Sequence, residues 1–266
     1  MKRRYMTNNR DSLGDRIKEN YENRSKTFLL RRTPVIIRLD GKAFHTFTRG
    51  FAKPFDKILT ESMQETTLEL CKNVQGCVVG YTQSDEITLV LADYQTLDTC
   101  AWFDYNVQKV CSIASSMCTL YFNRIFNEKV VEFSCKLPNE DGEKLLAAYN
   151  KSIKIGAMFD ARCFNVPLSE VTNVLLWRQN DASRNSIFSL ARAHFPHKQL
   201  QGKSGSQLQD MLMEKLNINW NDLPTIEKRG TSVIKNDDGK WLIDTEMPIL
   251  KGEDRQYIES RINFEA

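Results

Sequence analysis

Several signatures are missing from this chain, and each absence removes a class of protein. No apolar run approaches the length of a membrane span. The basic start, Lys2, Arg3 and Arg4, leads into polar residues rather than an apolar signal core, so a cytoplasmic protein with no membrane partner is expected. There is no Cys-x-x-Cys pair and therefore no sign of a zinc site. The seven cysteines are an odd number and fall mostly in apolar runs, which favours reduced, buried thiols over a disulfide framework. Cys111 and Cys118, seven apart, share one helical face and read as small core hydrophobes. His194 and His197 are separated by Pro196, which breaks the helix that a pair of metal ligands would need. Internal repeats and low-complexity tracts are absent. Strong charge is absent too: a net +3 tolerates a nucleic-acid partner without demonstrating one.

What remains is ordinary globular composition, with 266 residues, 41% of them hydrophobic and 27% charged. That length buries a sizeable core. The expected organisation is a core over residues 1–166 and a C-terminal helical and hairpin region over 167–266, integrated with it.

Taken in order, Leu13, Ile17 and Tyr21 predict an amphipathic helix within 11–30, capped by Asp11 or Ser12. Thr33-Pro34 ends it, and Val35-Ile36-Ile37-Arg38-Leu39 predicts a strand stopping at Asp40-Gly41. Residues 42–53 carry Phe44, His45, Phe47 and Phe51 without a sustained period, as a long loop does. Pro54 is expected to open a helix that Gly76 ends. Two apolar strands, Cys77 to Tyr81 and Ile87 to Leu91, form a hairpin around Ser84-Asp85-Glu86. Asp98 is expected to cap a long helix with Phe103, Val107, Val110, Ala114, Met117, Tyr121 and Ile125 on one stripe, and residues 158–166 read as a returning strand.

Residues 128–157 fit this scheme poorly. Val130, Val131 and Phe133 suggest a strand, Pro138 to Gly142 a turn, and Lys144 to Tyr149 a helical piece, so the segment is treated as an insertion. Beyond Pro167, Ser169 is expected to cap a helix reaching Ile187. A helix near Leu208 to Leu216, a hairpin at Asp237-Asp238-Gly239 and a charged tail follow.

Strand, helix, hairpin, helix, strand is the split β-α-β order of ferredoxin-like folds. The fold class is therefore α+β, a ferredoxin-like antiparallel sheet with helices on one face, followed by a C-terminal helical and hairpin region. A right-handed crossover makes the first two strands parallel with the third between them. Asp40 and Asp85 then become neighbours at one end of the sheet.

An Asp-Gly after a strand is usually a turn, and Ser-Asp-Glu is a common hairpin tip. Together on this scaffold they are more. Carboxylates gathered there repel one another unless a divalent cation neutralises them, and hard oxygen ligands suit Mg²⁺. Two such ions clamp the attacking and leaving oxygens in nucleotidyl transfer. Amides around Gly41 to His45 offer an anion nest, and Arg38, Lys42, Lys53 and His45 offer cationic or donor groups for a polyphosphate. Phe44, Phe47 and Phe51 read as packing rather than as base-stacking platforms.

These residues resemble a known family. The run Arg38-Leu39-Asp40-Gly41-Lys42-Ala43-Phe44-His45, then Phe51-Ala52-Lys53-Pro54 and Tyr81-Thr82-Gln83-Ser84-Asp85-Glu86, looks like the signature of the tRNA-His guanylyltransferases and their bacterial and archaeal "like" proteins. Phe159 to Arg162, Trp177-Arg178-Gln179 with Asp181, Leu200-Gln201-Gly202, Asn217-Ile218-Asn219 and Arg229-Gly230-Thr231 follow in family order, so the resemblance spans roughly residues 30–235.

The resemblance implies a polymerase-like palm that adds nucleotides 3′-to-5′ at a tRNA 5′ end, using ATP for activation and GTP or another nucleotide for addition. It implies catalytic roles for Asp40, Asp85 and Glu86, with two Mg²⁺ held by Asp40, the Gly41 carbonyl and Asp85. Nucleotide contacts fall to Arg38, Asp40, Gly41, Lys42, Ala43, Phe44, His45, Lys53, Ser84 and Asp85, and tRNA contacts to Arg178, Arg184, Asn185, Lys228 and Arg229. A homotetramer is also implied. Where eukaryotic members carry His-x-Asn-Asn, this chain has Ser183-Arg184-Asn185-Ser186, which favours templated 5′-end repair over strict tRNA-His selection. The rival readings are a palm-fold nucleotide cyclase, whose Gly-Gly-Asp-Glu-Phe hairpin is missing here, and a non-catalytic RNA-binding module.

Overall fold

Alternation along β1 (Val35–Gly41) sets the frame of the computed structural model, which describes residues 12–136 and 140–264. Val35, Ile37 and Leu39 are buried on one side of the strand and Ile36 in a second cluster on the other, the side that Arg38 and Asp40 share. β2 (Cys77–Gln83), β3 (Glu86–Leu91), β4 (Phe159–Asn165), β5 (Thr231–Lys235) and β6 (Trp241–Asp244) complete a sheet ordered β4-β1-β3-β2-β5-β6. Each neighbouring pair is antiparallel, so β1 and β2 run parallel with β3 between them, as the split β-α-β order requires. The β5–β6 hairpin extends the edge at β2.

The helices are α1 (Ser12–Asn20), α2 (Phe44–Phe47), α3 (Lys57–Asn73), α4 (Val107–Ser134), α5 (Glu140–Ile155), α6 (Val171–His194), α7 (His197–Leu200), α8 (Gly205–Leu216), α9 (Thr225–Arg229) and α10 (Gln256–Ile262). The palm helices α3 and α4 cover the Val35–Ile37–Leu39 face through Met63, Leu70, Cys118 and Phe122. The C-terminal region supplies the opposite face: Val171 and Leu175 of α6 and Ile258 and Ile262 of α10 pack on Ile36 and Val90. Further along α6, Ile187, Leu190 and Ala191 join Leu208 and Leu212 of α8 in a third cluster.

Several sequence expectations shift. Helix α1 stops at Asn20 and leaves Leu13, Ile17 and Tyr21 exposed; Asp11, like Lys2, Arg3 and Arg4, lies outside the described residues. Pro54 precedes α3 rather than opening it, because Asp56 is the cap and accepts the Leu59 amide at 2.9 Å. Asp98 caps nothing: α4 starts nine residues later, with the Asn106 side chain accepting the Lys109 amide at 3.0 Å, and Phe103 is exposed. Val130, Val131 and Phe133 are not a strand. They continue α4, held there by α5, whose Tyr149 ring meets Phe133 at 5.6 Å. Glu140 to Gly142 open α5, and Pro138 and Asn139 lie outside the described residues. Glu170, not Ser169, stands before α6. The charged tail folds as α10 around two buried isoleucines, and two of the cysteines, Cys100 and Cys135, are exposed rather than buried.

Candidate active site

Two strand ends and a turn build the acidic site. Asp40 pairs with Glu86 on β3 and with Asp160 on β4, so three carboxylates stand in one row across three strands. One row back, Arg38 pairs with Thr88 and Arg162. Like charges facing each other across strands destabilise a sheet unless something neutralises them. The outer two have partners: Asp160 binds Arg162 at 3.2 Å, and Glu86 lies between Arg178 at 2.6 Å and Arg38 at 3.4 Å. Asp40 has no ion-pair partner among the described residues.

Asp85 sits on the two-residue turn beside this row. The Gly41 amide donates to the Asp85 carbonyl at 3.1 Å, which ties the end of β1 to the hairpin tip. Ser84 adopts φ 50, a left-handed conformation that a β-substituted residue enters at a cost of about 1 kcal/mol. Its hydroxyl reaches the Asp85 carboxylate at 3.0 Å, and among the described residues no cation does. Burial pushes the Asp85 carboxyl up from the usual range, and the nearby Asp40 and Glu86 charges add to this against the Ser84 bond. Burial, then Glu86 and Asp160, push Asp40 up as well.

Gly41 is required by close approach: a Cβ there would sit 2.3 Å from the Phe44 ring. Phe44 therefore tucks beneath the strand end, packing on Phe47, Phe122 and Phe159. Phe47 and Phe51 are buried in the same aromatic cluster, as packing residues. The Phe44 side chain is thus closed to a nucleotide, and only its amide is on offer. Ala43 turns the chain at φ 55, ψ 38 into α2. The amides of Gly41 and Lys42 are engaged by Asp85 and Met158, whereas those of Ala43, Phe44 and His45 meet no acceptor among the described residues. Lys42, His45 and Lys53 have exposed side chains around this turn.

The acidic tip also borders a pocket of about 160 Å³ lined by Phe55, Thr60, Gln64, Ser84, Asn185 and Glu227, among others. Among the described residues no three His, Cys, Asp or Glu side chains form a ready metal cluster. Two carboxylates without internal cations and the Gly41 carbonyl beside them nevertheless fit a hard cation that keeps several of its waters.

A family model for tRNA-His guanylyltransferase matches residues 14–167, more than half of the chain. The chain belongs to the tRNA-His guanylyltransferase family. It is a nucleotidyltransferase by that membership. An uncharacterised protein of Acanthamoeba polyphaga mimivirus is 30% identical over 235 residues, covering 85% of this chain and 77% of its own length. A probable tRNA(His) guanylyltransferase of Dictyostelium discoideum is 28% identical over 78% of this chain and 77% of its own. Among solved structures, a bacterial tRNA(His) guanylyltransferase-like protein in complex with ATP superposes with a TM-score of 0.81 and 43% identity, covering 95% of this chain and all of that one. Another, in complex with GTP, gives 0.74 and 38%, covering 94% and 98%. No helix among the described residues is long and apolar enough to cross a membrane.

Within this family fold, sequence reasoning overlooked a buried carboxylate. Asp56 accepts the Ala52 and Leu59 amides at 2.9 Å each and the Tyr149 hydroxyl at 2.7 Å, so it joins the Lys53 loop to α3 and α5. Ser152 on α5 donates to the Phe47 carbonyl. The supposed insertion therefore buttresses the loop that carries Lys53, and a signal was present in the apolar period of Leu145, Leu146 and Tyr149. The residues proposed for tRNA separate. Arg184 and Asn185 are exposed on α6, while Lys228 is half-buried with its ammonium on the Asn221 carbonyl at 2.6 Å. Arg229 is half-buried and lends its carbonyl to the Tyr81 hydroxyl at 2.6 Å, which Gly230 permits by coming close to Thr82. Arg178 is only 4% exposed and faces the acidic row.

Proposed function

We propose that this chain adds nucleotides in the 3′-to-5′ direction to the 5′ end of tRNA, as a repair enzyme or as a tRNA-His guanylyltransferase. One observation carries the reading: β1 and the β2–β3 turn bring Asp40 and Asp85 together, with no cation for either among the described residues. Asp40, Asp85 and the Gly41 carbonyl would hold two Mg²⁺, which when bound supply charge neutralisation and align the reacting oxygens. The free amides at Ala43 to His45, with Lys42, Lys53 and His45, cradle the polyphosphate of ATP or GTP. Relatives solved with ATP and with GTP support both nucleotides as substrates. The pocket beside Ser84, about 160 Å³, lies next to the acidic tip.

The chemistry balances in two transfers. The 5′-monophosphate of the RNA attacks the α-phosphorus of ATP and displaces pyrophosphate, giving an adenylylated end. The 3′-hydroxyl of the incoming nucleotide then attacks that 5′-phosphorus, loses its proton and displaces AMP. Arg38 and Lys53 would offset charge on the phosphates.

Arg184 and Asn185 present one exposed edge to RNA, whereas Ser186 is buried and accepts the Trp220 indole N–H at 2.9 Å. The histidine of the eukaryotic run is replaced on this surface by Ser183, which supports repair. A 5′-truncated tRNA is expected to be extended by the nucleotide complementary to the opposing acceptor-strand base, whatever its amino-acid identity. Addition of guanosine alone, to tRNA-His alone, would refute the repair reading and leave guanylylation. The proposal includes a homotetramer, for which Ile113, Leu120 and Val131 on α4 offer exposed apolar surface.

A further inference from the structure

A line of alternating charge runs along α6 from solvent to the catalytic hairpin. Its outer end is Arg184, 67% exposed, which binds one oxygen of Asp181. The other Asp181 oxygen accepts from Arg178 Nη2 at 2.8 Å. That nitrogen also donates to Glu86 Oε2 at 2.6 Å, and the second Glu86 oxygen faces Arg38 at 3.4 Å. Gln83 donates its amide to Glu86 Oε2 at 3.0 Å. Trp177 fixes the two guanidiniums from one side: the Arg178 and Arg38 carbons lie 4.5 and 4.9 Å from its ring centre.

Two features separate Arg178 from an ordinary stabilising ion pair. It is 4% exposed, so a phosphate in solution does not reach it, and its Nε is buried with no hydrogen-bond partner among the described residues. An orphaned buried donor weakens the fold, and buried ion pairs often add nothing net to stability. The arrangement instead serves geometry. Glu86 follows the Ser84-Asp85 turn directly and stands beside Asp40 in the acidic row. Committing its carboxylate to α6 holds the turn in place and leaves Asp40 in the row and Asp85 on the turn as the acids without a cation among the described residues.

We propose that Arg178 and Asp181 are positioning residues for nucleotide addition, clamping Glu86 and the hairpin tip to α6, and that Arg178 is not an RNA contact. The proposal rests on the reading of the chain as a nucleotide-adding enzyme. It assigns the C-terminal region a part in the palm's chemistry, since the clamp reaches the hairpin from a helix about 90 residues further along the chain.

Steady-state extension of a 5′-truncated tRNA, measured across a salt series, separates the roles. Arg178→Gln and Asp181→Asn are expected to lower kcat by about 10- to 100-fold, the usual effect of losing a supporting contact, with the KM for tRNA and its salt dependence unchanged. Arg178→Lys should recover part of the loss, because it keeps the charge but not the planar fork. Arg184→Ala should instead raise the KM for tRNA and reduce the log–log salt slope by about one, as loss of a phosphate contact does. An Arg178→Gln variant that behaves like Arg184→Ala, or that keeps wild-type kcat, overturns the clamp. Urea unfolding of Arg178→Gln, Glu86→Gln and the double variant gives a second reading, independent of activity. The double variant should lose less than the two single losses combined, and strict additivity also overturns the clamp. Should wild type extend no tRNA at all, the functional reading fails, and the unfolding cycle alone decides the clamp.

Discussion

The two faces of this sheet are built from alternate residues of the same strand and follow different physics. On one face, Val35, Ile37 and Leu39 meet α3, α4 and a cluster of phenylalanines in which Phe44, Phe47, Phe122, Phe126 and Phe159 touch ring to ring. On the other, Arg38 and Asp40 stand in charged rows completed by Glu86, Asp160, Arg162 and, from α6, Arg178. The apolar face is non-directional and tolerant in detail; the charged face works only if each group meets its own partner.

Variants on the two faces should therefore fail differently. The largest effect is expected from Asp40→Ala and Asp85→Ala, each lowering nucleotide addition on the order of 10³-fold or more while thermal melting stays near wild type. Full activity of either variant with Mg²⁺ present would end the proposed mechanism. Next comes Phe122→Ala on the opposite face. It removes a fully buried ring and should lower unfolding free energy by about 3–5 kcal/mol, seen in urea titration, with kcat per folded molecule preserved at low temperature. A proportionate loss of kcat there would show that the faces are not separable.

The smallest effect sharpens the comparison through pH. Burial and neighbouring carboxylates raise the folded-state carboxyl of Asp85 above its unfolded value. The folded chain then binds that proton more tightly, so this group favours folding below the unfolded value of about 3.9 and loses that contribution as pH rises through the folded value. At pH 7 its carboxylate opposes folding. Asp85→Asn should accordingly melt roughly 1–3 °C higher than wild type at pH 7, with the gap closing as pH falls toward about 4. A lower melting temperature at pH 7 would contradict the placement of Asp85 as an acid without a cation.

Much of the palm was legible because its signals are local and periodic. Alternation in Val35 to Asp40, the paired apolar runs on either side of Ser84-Asp85-Glu86 and the helical stripe from Val107 to Ile125 each appear within a short window, and chain order supplied the topology. The caps were harder to read. Asp56 and Asn106 win over Pro54 and Asp98 through bonds to particular amides. The stretch 128–157 reads as irregular only until Tyr149 meets Asp56 and Phe133. Arg178 was the least legible: its burial against Glu86 and Asp181 depends on how α6 packs on the hairpin, which no local pattern shows.

By itself the sequence determined the split β-α-β order, the acidic tips at Asp40 and Asp85, and the family, since these rest on residue type, period and spacing along the chain. Only the tertiary structure decided which charges are committed and which are left over. Glu86 is neutralised by Arg178 from α6 and Arg38 from the neighbouring strand, and Asp160 by Arg162 two residues along its own strand, whereas Asp40 and Asp85 meet no cation among the described residues. Electrostatic pairing falls off over a few ångströms in space, and no one-dimensional pattern encodes that distance.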